Sequence, residues 1–176
     1  MKIIGITGGV GAGKSTVLAY LEEKYNAFVI QADEVGHIVM APGQECYQPV
    51  INLFGNDVIK NDKTIDRKQV SDIVFGNELM RQSLDAIIHP AVKTYILEEI
   101  RKQRQAGCRL LVIEAALLLE EHYEEFCNNV WYIHTDAEIR IRRLMDSRGY
   151  TREKAESIIA RQGSEEFFRK HSDYVI

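Results

Sequence analysis

The sequence Ile3-Ile4-Gly5-Ile6-Thr7-Gly8-Gly9-Val10-Gly11-Ala12-Gly13-Lys14-Ser15-Thr16 decides the fold. It begins as an apolar, β-rich run. Gly8, four free positions, Gly13, Lys14 and Ser15 then satisfy the spacing G-x-x-x-x-G-K-[ST]. Apolar residues recur at helical spacing after it, so the pattern lies between a strand and a helix, as a phosphate-binding loop requires. This context predicts a P-loop.

The residue types of this loop match the needs of a phosphate chain. Glycines permit unusual backbone angles and let main-chain N–H groups come close to an anion. A helix starting near Lys14 directs the positive end of its dipole at the same place. Lys14 would reach the outer phosphates, and the Ser15 hydroxyl would hold Mg²⁺. The alternative is a glycine-rich turn without a ligand, and the complete spacing argues against it.

Composition and charge narrow the class of protein. The 176 residues, 45% hydrophobic and 27% charged, suffice for one α/β core with an appended subdomain. A net charge of −4 argues against a nucleic-acid partner and favours a small ligand. The cysteines, Cys46, Cys108 and Cys127, are odd in number and widely spaced, which fits inert thiols in a reducing compartment. We expect a cytoplasmic protein, because no run resembles a membrane span or a signal peptide. We also expect a monomer or a weak homo-oligomer.

A second strand is predicted at residues 27–30, after a first helix from 14 to about 25. Gln31-Ala32-Asp33 follows that strand, at the edge of a parallel sheet where ligands bind. Asp33 would therefore face a γ-phosphate, and could accept the proton of an attacking hydroxyl. It could equally cap a helix over residues 34–40, and both roles stay open.

Residues 34–105 carry mostly helical patterns, which predicts an inserted helical subdomain. Turns are expected at Pro42-Gly43, at residues 55–57 and at residues 61–63. His89-Pro90 should end one helix and begin another. The Gly107 region should end that later helix.

Two apolar runs beyond the insertion predict further strands, at residues 109–114 and 129–134. The first ends in Glu114, which is either an ordinary loop acid or, less favoured because Asp is usual there, a Walker-B-like carboxylate. The second ends in His134, interpreted as structural. Thr135-Asp136 can cap the helix that follows.

Residues 136–148 include four arginines close to a predicted loop edge, namely Arg140, Arg142, Arg143 and Arg148. A basic helix is often only a solvated face, and this reading stays available for Arg142 in particular. Phosphoryl transfer, however, needs positive charge to offset the charge on the transferring group, and a mobile arginine often supplies it. Gly149 and Thr151 predict a break and a second helix ending near Gln162, so the two helices would form a lid. Residues 173–176 read as a fifth strand.

The whole chain resembles the dephospho-CoA kinases. Besides the P-loop, the matching pieces are Ala32-Asp33, Pro42-Gly43, Phe54-Gly55, Asp66-Arg67, Val74-Phe75, His89-Pro90, Leu117-Leu118 with Glu120, and the arginine-rich segment ending at Gln162. The resemblance implies an α/β fold: a five-stranded parallel sheet P-loop kinase core with a helical acceptor-binding insertion and a helical lid. The expected parts are a core of residues 1–33, 106–135 and 172–176, an insertion of 34–105 and a lid of 136–165.

The resemblance also implies transfer of the ATP γ-phosphate to the ribose 3′-hydroxyl of dephospho-CoA, with Mg²⁺. Three residues take catalytic roles: Lys14, Arg140, and Asp33, which is the base and also meets the acceptor. The remaining assignments fall into two sets. The residues that hold ATP are Gly11, Ala12, Gly13, Lys14, Ser15, Thr16 and Arg143, and those near the acceptor are Arg67, His89, Leu117 and Leu118.

Some positions depart from the family pattern. Gln31 replaces an acid, His37 replaces an arginine, and Ser147 stands at an expected lid arginine, with Arg148 one residue later. The family also continues past the last strand into a helix that this sequence does not include, so we expect a truncated chain or a shortened variant.

Other functions fit parts of the sequence. Another small-molecule or nucleoside kinase on the same core is the nearest alternative, because such enzymes differ mainly in the acceptor pocket. A regulatory GTPase is disfavoured, since the chain has no Asn-Lys-x-Asp and no Asp-x-x-Gly sequence of that class. A protein that only senses ATP would not need Asp33.

Overall fold

A computed structural model describes residues 1–176. The chain separates into two compact units. The sheet unit comprises Met1–Gln31 and Lys102–Ile176, and the helical unit comprises Ala32–Arg101.

The sheet unit is built on five parallel strands in the order β2-β3-β1-β4-β5. The expected α/β fold with a five-stranded parallel sheet is therefore confirmed. Ile6 and Gln31 both pair with Glu114, so the neighbouring strands β1, β2 and β3 end at one edge. The strands are β1 (Lys2–Thr7), β2 (Phe28–Gln31), β3 (Leu110–Glu114), β4 (Asn129–Tyr132) and β5 (Tyr174–Val175).

Eight α-helices complete the chain. They are α1 (Lys14–Tyr25), α2 (Ala32–Val39), α3 (Tyr47–Phe54), α4 (Arg67–Val74), α5 (Glu78–Gln105), α6 (Ala137–Arg148), α7 (Arg152–Ala160) and α8 (Glu165–Lys170). Two short 3₁₀ turns lie at Asn56–Val58 and Tyr123–Phe126. None of the helices combines the length and the apolar composition that crossing a membrane would require.

The core of the sheet unit explains why β1 and β3 read as continuous apolar runs. Both strands have neighbours on each side in the sheet, and their side chains are buried from Ile3 to Thr7 and from Leu111 to Glu114. Leu18 and Leu21 of α1 pack with Ile4, Ile6 and Val112 in one cluster. This packing fixes α1 on the sheet, and with it the loop between β1 and α1.

The break predicted at His89-Pro90 is wrong, because α5 is a single helix with Pro90 inside it. A proline in a helix interior removes one hydrogen bond and costs about 3 kcal/mol. Ala91, Val92, Ile96 and Ile100 of the same helix are buried. Their burial outweighs the local cost, and the helix continues to Gln105.

Other differences are smaller. Strands β2 and β3 each begin one residue later than expected, and β4 ends at Tyr132 rather than at residue 134. Helix α8 was not predicted, although Ser164 caps it through a hydrogen bond from Phe167 N. Helix α7 is shorter than expected and ends at Ala160.

Candidate active site

The P-loop joins the end of β1 to the start of α1. Gly8, Gly11 and Gly13 have φ angles of 147°, 77° and 100°, which L side chains rarely adopt. Gly13 occupies the N-cap position of α1, and no side chain caps this helix. The first N–H groups of α1 are therefore presented without a side-chain acceptor, in the arrangement that binds anions at helix N-termini.

Lys14 folds back over the loop. Its Nζ donates to the carbonyl of Gly8 at 2.9 Å and lies 3.4 Å from Oε1 of Glu114. Glu114 is the last residue of β3 and only 6% exposed, so it is not an ordinary loop acid. Lys14 and Glu114 therefore form an ion pair at the edge of the sheet where the P-loop begins.

Ser15 and Thr16 form the exposed first turn of α1. The Thr16 amide donates to the carbonyl of Gly13 at 3.1 Å. Thr16 also borders an apolar groove of about 590 Å³, lined further by Tyr20, Trp131 and their neighbours. Among the residues assigned to ATP, Thr16 is the one that lines this groove.

Two arginines of α6 reach the carbonyl groups of the loop. Arg140 donates from Nε to Val10 O at 2.8 Å, and Arg143 donates from Nη1 to Gly11 O and Ala12 O at 3.0 and 3.1 Å. The Thr135 hydroxyl also donates to Ala12 O, at 2.8 Å. These contacts attach α6 to the loop.

The contacts of the carbonyls also orient the peptide N–H groups. The chain has no cis peptide bonds, so the C=O and N–H of each peptide unit point in opposite directions. The carbonyls of Val10 and Ala12 face the arginines and Thr135. The N–H groups of Gly11 and Gly13, which share those peptide units, therefore point away from α6 and can receive an anion.

Arg140 and Arg142 differ in their surroundings. Arg140 is half-buried, and burial lowers the pKa of its guanidinium from the usual value, although arginine stays protonated in proteins. Arg142 is exposed. The solvated-face interpretation therefore fits Arg142, whereas Arg140 and Arg143 contact the P-loop.

The helical unit contains three residues predicted to meet the acceptor. Asp33 is exposed and is the second residue of α2, so it lies inside the first turn. Its predicted role as the cap of a helix starting at residue 34 is wrong, because the helix already begins at Ala32. The carboxylate is thus not used as an N-cap.

Arg67 and His89 lie on two helices of this unit. Arg67 is the exposed first residue of α4, and the preceding Asp66 accepts hydrogen bonds from the amides of Lys68 and Gln69 at 3.0 and 3.2 Å. His89 is half-buried on α5, with Nε2 3.7 Å from Asp85 Oδ1. The Asp66-Arg67 pair therefore combines a helix cap with an exposed cation.

Leu117 and Leu118 differ in accessibility. Leu117 is 45% exposed, whereas Leu118 is fully buried and packs so closely on Gly5 that a Cβ there would lie 3.0 Å from its Cδ1. Of the two side chains, only that of Leu117 has surface to offer a ligand. The assignment of both to the acceptor stays a prediction.

Gln162 is a site residue that sequence reasoning missed. Its side-chain oxygen accepts a hydrogen bond from the Val10 amide at 3.2 Å and another from Arg140 Nη2 at 2.5 Å. No pattern could have indicated this contact, since Gln162 follows α7 and Val10 lies in the P-loop, 152 residues earlier.

A P-loop between a strand and a helix indicates a nucleotide-binding protein, and comparison with known proteins identifies its family. The family model for dephospho-CoA kinase matches residues 2–176. The chain belongs to the dephospho-CoA kinase family. It is therefore an ATP-dependent kinase of the last step of coenzyme A biosynthesis.

Individual relatives agree with the family assignment. A dephospho-CoA kinase of Corynebacterium diphtheriae is 37% identical over 100% of this chain and 88% of its own length. That of Geobacillus kaustophilus is 36% identical over 98% of this chain and 86% of its own length.

Two solved structures share the fold of this dephospho-CoA kinase family member. TT1252 from Thermus thermophilus has a TM-score of 0.83 and 28% identity, covering 99% of this chain and 86% of its own. Dephospho-CoA kinase from Campylobacter jejuni has a TM-score of 0.71 and 25% identity, covering 100% and 88%. A shikimate kinase from Acinetobacter baumannii, at 16% identity and a TM-score of 0.53, shares the fold alone.

Proposed function

We propose that this chain transfers the γ-phosphate of ATP to the ribose 3′-hydroxyl of dephospho-CoA, using the residues of the P-loop, α6 and the helical unit. The observation that carries the proposal is the loop itself: its carbonyls are bound by Arg140 and Arg143, which leaves N–H groups on the opposite side for phosphate. Lys14, at the entry to α1, supplies a further positive charge. We propose Gly11 to Thr16 and Arg143 as the ATP-binding residues.

Asp33 is proposed as the base that takes the proton of the acceptor hydroxyl. Support comes from its exposed carboxylate and from its position two residues after β2, whose end lies level with Glu114. Asp33→Asn should lower kcat by about 100-fold while leaving the KM for ATP nearly unchanged, as expected for a general base. The matched control is Glu34→Gln, the exposed acid next to it. Equal kcat values for the two variants would show that the base lies elsewhere.

Mg²⁺ is proposed as the metal ion of the reaction, with the Ser15 hydroxyl as its protein ligand. The Ser15 hydroxyl lies in the exposed first turn of α1, close to the N–H groups proposed to receive the phosphates. A single hydroxyl suits Mg²⁺, which keeps several waters and binds through few protein oxygens together with substrate phosphates. When bound, the ion would offset the negative charge of the phosphates.

Arg67, His89 and Leu117 are proposed to bind the acceptor. An exposed guanidinium suits a phosphate or pyrophosphate group, because it offers a rigid fork of donors. Arg67→Ala should raise the KM for dephospho-CoA by about tenfold or more, with the KM for ATP unchanged. Lys68→Ala removes the neighbouring exposed cation and is the control. Equal rises in both variants would point to general surface charge rather than to Arg67.

The deciding experiment for the function compares acceptors. Purified protein with Mg²⁺ and ATP should phosphorylate dephospho-CoA, and adenosine or AMP should be much poorer acceptors. Remote parts of a substrate help to orient the reacting hydroxyl, so the pantetheine arm should raise kcat/KM. Equal phosphorylation of AMP or another small metabolite would favour the alternative of a broader small-molecule kinase.

The proposal extends to the localisation, partners and oligomeric state of the enzyme. We propose a cytoplasmic enzyme that acts on small molecules without a nucleic-acid or membrane partner, as a monomer or weak homo-oligomer. The net charge of −4 supports the lack of a nucleic-acid surface. Size-exclusion chromatography with light scattering at micromolar concentration would reveal a stable oligomer if one exists.

A further inference from the structure

The side-chain oxygen of Gln162 joins three segments that are distant in sequence. It accepts hydrogen bonds from the backbone of Val10 and from the guanidinium of Arg140. These donors belong to the P-loop and to α6, whereas Gln162 lies just beyond the end of α7. A single half-buried carboxamide thus connects the loop with both helices.

Val10 is the point of the loop at which these contacts meet. Its N–H donates to Gln162, its carbonyl accepts from Arg140 Nε, and its side chain packs beside Ile141, Leu144 and Ala155. The Arg140 guanidinium also lies against Gly9, where an added Cβ would collide with it. The guanidinium is therefore fixed by the loop on one side and by Gln162 on another.

The chemistry of the acceptors matters because Arg140 is half-buried. Burial lowers the pKa of this guanidinium, as expected when a charged group loses water. Its two hydrogen-bond acceptors, Val10 O and Gln162 Oε1, are both uncharged. The positive charge of Arg140 is thus held in place without being neutralised. A carboxylate at residue 162 could make the same two hydrogen bonds but would cancel that charge.

We propose that Gln162 is a positioning residue for phosphoryl transfer: it holds Arg140 against the carbonyl side of the P-loop without neutralising it, so that its charge adds to the positive potential of the loop that receives the phosphates of ATP. This inference rests on the proposed role of Arg140 in the reaction. An interaction with a fixed cation is most useful when negative charge develops in the transition state. The effect of Gln162 should therefore appear mainly in kcat.

A double-mutant cycle tests whether Gln162 acts through Arg140. Gln162→Ala should lower kcat by about tenfold, the size expected for losing a hydrogen bond to a charged group, with a smaller change in the KM for ATP. In the Arg140→Ala background the same change should have less than about a twofold effect, since the group that it positions is gone. A tenfold loss in both backgrounds would overturn the proposal.

Gln162→Glu separates positioning from mere packing. The carboxylate keeps both acceptor contacts, so the melting temperature should stay within about 2 °C of wild type. The activity should nevertheless fall at least as far as in Gln162→Ala, because the charge of Arg140 is neutralised. Wild-type kcat in Gln162→Glu would overturn the requirement for an uncharged acceptor. Ser157→Ala, exposed on α7, is the control and should match wild type in both measurements.

The outcomes also distinguish this proposal from the one on which it depends. Wild-type kcat in Arg140→Ala would overturn the role of Arg140 and that of Gln162 together. If Arg140→Ala lowers kcat while Gln162→Ala keeps the wild-type kcat, only the proposed role of Gln162 is overturned. As a direct check of the contact, hydrogen exchange of the Val10 amide should accelerate in Gln162→Ala and not in Ser157→Ala. Unchanged exchange would contradict the hydrogen bond itself.

Discussion

Replacing Lys14 by methionine should damage both catalysis and stability, and the two effects can be separated. Lys14 Nζ lies 3.4 Å from Glu114 Oε1, and the two side chains are 16% and 8% exposed. Methionine keeps most of the apolar stem but leaves a buried carboxylate without its cation. Removing one partner of a buried ion pair is costly because the remaining charge stays desolvated.

The burial of this ion pair sets the expected loss of stability in Lys14→Met. A fully buried pair loses about 3–5 kcal/mol when one partner is removed, and the residual exposure here reduces our expectation to about 2 kcal/mol. For a domain of this length that corresponds to a fall in melting temperature of about 4–8 °C. Lys14→Met should also abolish phosphoryl transfer, since the charge that bridges the outer phosphates is gone.

The second substitution, Glu114→Gln, distinguishes the two roles. In the Lys14→Met and Glu114→Gln double variant no uncompensated charge remains, so most of the lost stability should return while activity stays absent. Urea unfolding and thermal melts without nucleotide measure the first effect, and a coupled assay for ADP measures the second. A Lys14→Met protein as stable as wild type, or a double variant no more stable than the single one, would refute the reasoning.

Two further predictions concern the metal and the thiols. Ser15→Ala should raise the Mg²⁺ concentration needed for half-maximal rate, measured by titration at saturating ATP, because a hydroxyl ligand is lost. Burial raises the pKa of the Cys127 thiol to about 12, so iodoacetamide at pH 8 should alkylate Cys127 far more slowly than Cys108, as followed by mass spectrometry.

Each of these predictions has a contrary outcome. An unchanged magnesium titration in Ser15→Ala, with Thr16→Ala as the comparison, would exclude the Ser15 hydroxyl as a ligand. Faster modification of Cys127 than of the half-buried Cys108 would contradict the second prediction, because it would mean that the packing around Cys127 opens in solution. Cys127 Sγ packs against Gly5, where an added Cβ would lie only 2.9 Å from the sulfur.

The parts of the fold that the sequence predicted well are those decided by neighbouring residues. Helix α1 was predicted correctly from Lys14 to Tyr25, because the P-loop spacing fixes its start and Asn26, at φ 50°, adopts the left-handed conformation that ends it. The apolar runs of β1 and β3 are equally local signals. Their buried positions follow from the central place of both strands in the sheet.

Local rules failed where distant contacts outweigh them. Pro90 predicted a helix break, yet buried residues after it keep α5 continuous. Asp33 resembled a cap, but α2 begins before it. Helix α8 is only 6 residues long, too short to show a helical period, so its capping residue Ser164 was the sole available signal.

The candidate site likewise contains residues that the sequence predicts and contacts that it does not. Its glycines, Lys14 and Ser15 could be found because their spacing is the signal. The loop partners of Arg140 and Arg143 are instead backbone carbonyl groups, which any residue type could offer. The bond from Arg140 to Val10 joins positions 130 residues apart in the chain. A basic helix alone therefore could not single out Arg140 and Arg143 as the arginines that contact the P-loop.

Besides supplying positive charge, Arg140 and Arg143 of α6 restrain the backbone of the P-loop through these contacts. A peptide carbonyl held by a guanidinium cannot rotate away without breaking that bond, so Arg140 and Arg143 restrain the peptide planes of Val10, Gly11 and Ala12. The N–H groups of Gly11 and Gly13 on those planes are then oriented before any phosphate arrives. Preorganised donors avoid a reorganisation cost when charge develops. Helix α6 thus also shapes the P-loop, and we expect the loss of Arg140 to lower turnover more than it lowers the melting temperature.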